Sequence, residues 1–76
     1  MDLQTGKLYI LKRKLAYGKS KSRLVIVASQ RTKEFARVGK EAFTERFYVL
    51  YAVDSGKTHE YSEWMLDRCY ELLSLT

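Results

Sequence analysis

The chain has no proline, one cysteine (Cys69) and one histidine (His59) among its 76 residues. One cysteine cannot close an internal disulfide, and no Cys/His set stands at zinc-finger spacing, so neither a cross-link nor a bound metal is expected. A chain of this length buries only roughly 60–65% of its unfolded surface, enough for one core and no more, so residues 1–76 read as a single domain. Long apolar runs are also missing. Residues 24–28 and 47–53 form the longest, far short of the ~20 residues that would cross a bilayer. Residues 1–6 carry neither a basic segment nor an apolar one, so no signal peptide is expected. The single thiol fits a reducing compartment, and a cytoplasmic protein with no membrane partner is the expectation.

Catalytic constellations are missing as well. Gly18, Gly39 and Gly56 stand apart, without the spacing of a phosphate-cradling loop. His59 and Glu60 are neighbours on a predicted strand, where consecutive side chains point to opposite faces, so they are poorly placed to act together. Cys69 has no obvious activating cluster and reads as a small packing residue. Asp67 and Glu71 stand at the ordinary spacing of a solvated helix face. No enzyme and no cofactor are expected.

Positive charge is abundant, and it is unevenly placed. Residues 1–46 hold twelve Lys/Arg against four Asp/Glu, whereas residues 47–76 hold two against five. The net +5 therefore conceals a charge asymmetry, which bears on partners rather than on fold.

Residues 7–13 are apolar and rich in β-formers, with Gly6 before them, and read as a first strand; residues 23–30, with Val25, Ile26 and Val27, read as a second. Residues 14–22 contain Gly18, two serines and three lysines and read as an exposed basic loop. Residues 47–53, turn residues Asp54-Ser55-Gly56, and residues 57–61 predict a hairpin. Both faces of the 47–53 strand are apolar, so something must cover the second: the C-terminal segment, a second copy or a ligand. The stretch from 31 to 46 is ambiguous: Phe35, Val38, Gly39, Ala42 and Phe43 fall at helical spacing, with Thr32 available as N-cap, but Gly39 disfavours a helix over 32–44 by ~1 kcal/mol, and a long loop with a short helical turn is the alternative. Ser62 opens the last element. It starts either a helix over 62–74, with Met65, Leu66, Cys69, Leu72 and Leu73 as its apolar stripe, or a single turn over 62–66 followed by an edge strand over 68–73.

Two architectures follow. With the short turn, the chain is mostly β, five antiparallel strands with a long basic loop after the first and a tight hairpin between the third and fourth. With two helices it is α+β, ββαββα on a four-stranded antiparallel sheet. The first resembles the small SH3-like barrels of Tudor and KOW-type modules and of many short phage-encoded proteins. The resemblance is carried by Gly6-Lys7-Leu8-Tyr9-Ile10, by Tyr48-Val49-Leu50-Tyr51 before Asp54-Ser55-Gly56, and by the closing stretch from Glu60 to Leu66. It implies a ligand groove lined by aromatics near the first loop and the closing turn, which places Tyr9, Tyr17 and Trp64 under test.

Lys7, Lys12, Arg13, Lys14, Lys19, Lys21 and Arg23 straddle one strand-loop-strand unit, with Tyr9 and Tyr17 among them. Phosphate attracts such charge without reading sequence, and tyrosine rings stack on unpaired bases, so this edge is the candidate nucleic-acid contact. Exposed lysines also serve solubility alone. A second aromatic group in the acidic half, Tyr48, Tyr51, Tyr61, Trp64 and Tyr70, reads mostly as core or half-buried strand residues, yet supplies the residue types that dominate protein interfaces, with Tyr51, Tyr61 and Trp64 as the candidate contacts. It supports the alternative of a regulatory interaction module docking on a nucleic-acid-processing protein. A homodimer built on the doubly apolar strand is the third reading.

Overall fold

The computed structural model describes residues 2–14, 22–36, 38–39 and 41–75. It is mostly β, with five antiparallel strands in one unclosed sheet and one short helix near the C-terminus: β1 (Leu8–Arg13), β2 (Arg23–Phe35), β3 (Phe43–Ala52), β4 (Lys57–Ser62), α1 (Glu63–Cys69) and β5 (Tyr70–Ser74). The strand order is β4-β3-β2-β1-β5. The first four strands form a meander, and the chain then returns through α1 to lay β5 along the free side of β1. No ladder joins β4 to β5, so both are edge strands.

Alternation sorts the side chains. Tyr9 and Leu11 of β1, Val25 and Val27 of β2, and Tyr48 and Leu50 of β3 point to one face, where they form the core with Leu3 and Leu66. Leu8, Ile10, Leu24, Ile26, Val49 and Tyr51 point to the other. Ala28 is the extra residue of a bulge between Val27 and Ser29, which lets β2 bend and continue. The hairpin between β3 and β4 turns on Gly56, whose φ of +69° suits glycine. Its N–H donates to the Ala52 carbonyl at 2.8 Å, and Asp54 Oδ1 accepts from the Ser55 N–H.

The helix predicted over 32–44 does not form. Residues 32–35 continue β2 and residues 43–44 begin β3, so that Phe35 and Phe43 pair across the strands with rings stacked at 5.3 Å. Their helix-like recurrence comes from that cross-strand pairing. Val38 and Gly39 lie in the turn between, Gly39 at φ +76°. Only Thr32–Phe35 and Phe43–Arg46 lack a further neighbour on either side, and they make a two-stranded ribbon beyond the main sheet.

The longer C-terminal helix is also shorter than its stripe. It runs from Glu63 to Cys69, and Leu72 packs against the core from β5 instead. Ser62 Oγ accepts from the Met65 N–H at 3.1 Å and caps the helix, while Leu66 is fully buried beneath it. Replacing Ser62 with alanine is expected to cost about 1 kcal/mol and to lower the melting temperature by about 4–8 °C, as read by thermal circular dichroism.

Candidate functional site

The residues expected to bind nucleic acid divide by strand parity. Arg13 shares the core-side face of β1 with Tyr9 and Leu11 and stands opposite Tyr70 of β5; Arg23 stands opposite Leu11 on the same face. Both are exposed. Tyr70 meets Tyr61 of β4 edge to face, ring centroids 5.5 Å apart, and His59 lies 6.4 Å beyond Tyr61. Arg13 from the basic half, Tyr61 and Tyr70 from the aromatic group of the acidic half, and His59, singled out for neither role, thus gather at the gap between edge strands β4 and β5, with Arg23 on the same face of β2. Burial and the neighbouring Tyr70 push the Tyr61 phenol up from its ordinary value, while the charges of Arg23 and Arg13 oppose the shift.

The other expected contacts stand elsewhere. Lys7 is exposed just before β1, and Lys12 points to the outer face, opposite Glu71. Tyr9 is only 7% exposed, and its hydroxyl accepts from the Gln4 N–H at 3.1 Å. Its ring belongs to the core and offers no face to a base. Lys14 is engaged with α1: its ammonium donates to the Asp67 carbonyl at 2.7 Å and its backbone N–H to the Cys69 carbonyl at 2.9 Å. A cation there complements the carbonyl end of a helix. Tyr17, Lys19 and Lys21 lie outside the described residues.

The electrostatic contrast along β2 is sharper than the sequence indicates. Arg31 and Lys33 both bind Glu60, Arg31 through Nε at 2.9 Å and through its terminal nitrogen, Lys33 through Nζ at 2.6 Å. Arg46 faces Asp2 and Glu63 at 3.6 and 4.0 Å. Among the described residues, Lys7, Lys12, Arg13, Arg23 and Lys57 make no ion pair. Hydrogen bonds from Lys33 and Arg31 hold the Glu60 carboxyl below its ordinary value. A depressed carboxylate favours the folded state at pH values above the ordinary one and loses that contribution as pH falls through the depressed one. Glu60→Gln is therefore expected to flatten the acid limb of the stability profile below about pH 5, as measured by urea unfolding at stepped pH.

Tyr51, Tyr61 and Trp64 do not form one surface. Tyr51 lies on the outer face between Ile26 and Thr58, Tyr61 in the β4–β5 gap, and Trp64 on α1. Trp64 is 59% exposed, with the Arg68 guanidinium 5.2 Å over its ring. It lines an open groove of about 770 Å³ with Phe43, Arg46, Glu63 and Asp67. Among the described residues no His/Cys/Asp/Glu cluster is arranged to hold a metal, and no helix is long and apolar enough to cross a membrane. No protein-family model, curated protein or solved structure matches the chain.

Proposed function

We propose that this chain is a small non-enzymatic binding module that holds nucleic acid by its phosphates at the β4–β5 gap. The observation that carries the reading is that Arg13, opposite Tyr70 and its partner Tyr61, and Arg23, on the same face opposite Leu11, are exposed and without carboxylate partners among the described residues. A guanidinium presents a planar fork of donors that matches phosphate, and the adjoining tyrosine edges give a base something to lie against. In the sequence, Lys19 and Lys21 fall in the segment between β1 and β2. Cations already satisfied by Glu60, as Arg31 and Lys33 are, gain less from a phosphate because they must give up an existing pair.

The SH3-like architecture belongs to the same proposal. It is supported by the long basic segment after β1, the tight hairpin between β3 and β4, and the short helix that returns the chain to β5 beside β1. Cytoplasmic residence likewise accompanies a nucleic-acid ligand.

Fluorescence anisotropy with labelled single-stranded and duplex oligonucleotides tests the reading. Affinity is expected to fall steeply with salt, log K against log salt sloping by about −0.9 per phosphate contact on duplex and about −0.7 on single strands. No binding to either at low salt would remove it. An interaction module using the Trp64 groove, with Phe43 at 41% exposure on its other wall, would then take its place.

A further inference from the structure

In its described residues the outer face of the sheet is both apolar and electrically neutral, a combination that a chain of net +5 does not produce by default. Across the central strands, Leu73, Ile10 and Leu24 stand in one row and Leu8, Ile26 and Tyr51 in the next. Leu24, Tyr51 and Leu73 are 37%, 37% and 49% exposed. An antiparallel sheet with one wet face is expected to carry polar residues there. The C-terminal segment does not cover this face, since α1 puts Leu66 into the opposite side and β5 extends the sheet sideways.

The charged residues on the face cancel. By register they are Lys12, Arg31 and Lys33 against Glu45, Glu60 and Glu71. They are also matched locally: Lys12 stands opposite Glu71, Lys33 opposite Glu45, and Glu60 binds both Arg31 and Lys33. Among the described residues this face therefore carries no net charge. Its described side chains offer an acidic partner no net attraction, and what fits here is a surface that is itself apolar and neutral.

From this we infer that a second copy of the chain docks on the outer face, sheet against sheet, in a symmetric dimer. Two identical faces without net charge in their described residues meet without net repulsion, and a two-fold interface needs only a self-complementary patch. Because Arg13, Arg23, Tyr61 and Tyr70 share the core-side face by register, the dimer carries its two cationic sites turned away from the interface. It is built to hold two segments of nucleic acid at once. The dimer itself does not depend on the nucleic-acid reading; only this bridging does.

Sedimentation equilibrium of the full chain, with and without Leu24→Glu/Leu73→Glu, tests the dimer. Both positions are exposed in the single chain, so the variant is expected to keep its circular dichroism spectrum and melting transition. The wild type is expected to sediment as a dimer at micromolar concentration, unweakened between 0.1 and ~0.5 M salt because the contact is apolar. The variant is expected to remain monomeric at concentrations at least ~100-fold higher, since pairing would bury unpaired carboxylates. A wild type that is monomeric at all these concentrations overturns the inference, as does a dimer that the double glutamate leaves intact. If Leu24→Glu/Leu73→Glu also unfolds the chain, Leu24→Lys alone, a substitution at one partly exposed position, decides between the same two results. Oligonucleotide binding is measured separately on the monomeric variant. Retained binding there with loss of the dimer separates the two proposals, and absence of binding in a wild-type dimer removes only the nucleic-acid reading.

Discussion

Leu66→Ala is expected to destabilise the chain by about 2–5 kcal/mol, the range for deleting a fully buried leucine. Leu66 is the one side chain by which α1 enters the core, and it is 0% exposed. A chain of this length has a total stability of roughly 4–11 kcal/mol, so the substitution removes a large part of it. The loss reaches beyond the helix, because α1 carries the chain from β4 back to β5 and packs against β3, β4 and β5. Met65, next in the same helix, is 41% exposed and serves as the comparison; Met65→Ala is expected to cost less than about 1 kcal/mol. Urea unfolding at neutral pH measures both. A midpoint for Leu66→Ala within error of the wild type would mean that the helix is an ornament on the sheet rather than part of its core.

Arg13→Gln/Arg23→Gln is expected to carry the largest effect on binding. If each arginine holds one phosphate, removing both flattens the salt dependence by about 1.8 on duplex or about 1.4 on single strands, and at low salt it weakens binding by about tenfold or more. Neither residue lies in the core, and glutamine keeps most of the aliphatic stem, so the fold is expected to survive. Lys14 does not belong in this variant: its ammonium holds the Asp67 carbonyl, and removing it would mix a helix-end defect with a binding defect.

The strands were legible because their signals are local. The β-branched run at Val25–Val27 and the turn chemistry before Gly56 appear as expected, and Ser62 caps α1 as its position suggests. The mostly-β alternative is the one that forms. The segment over 32–44 misled because Phe35 and Phe43, eight residues apart, imitate a helical face when a hairpin brings them opposite each other. The helix after Ser62 stops at Cys69 because Leu72 reaches the core from β5 as well as it would from a longer helix.

The candidate site was half legible. Charge located Arg13 and Arg23, but only the pairing of β5 with β1 brings Tyr70, and through it Tyr61, beside them. The neutralisation of Arg31 and Lys33 by Glu60 could not be read from spacing, since Glu60 reaches them across β3 from a different strand. Tyr9 was placed by charge context among binding residues, and its strand parity puts it in the core. Two separable surfaces, one basic and one aromatic, become instead a mixed gap at one edge and a neutral apolar face behind it.

The proposed binding surface rests on unpaired cations rather than on net charge. Two double variants with the same loss of formal charge test it directly: Arg13→Gln/Arg23→Gln against Arg31→Gln/Lys33→Gln, titrated with one labelled oligonucleotide at one salt concentration. The first is expected to lose about tenfold or more in affinity and the second to stay within about twofold of the wild type, its cations being already held by Glu60. Equal losses in the two variants would contradict it and leave only a general attraction between a basic protein and an acidic polymer.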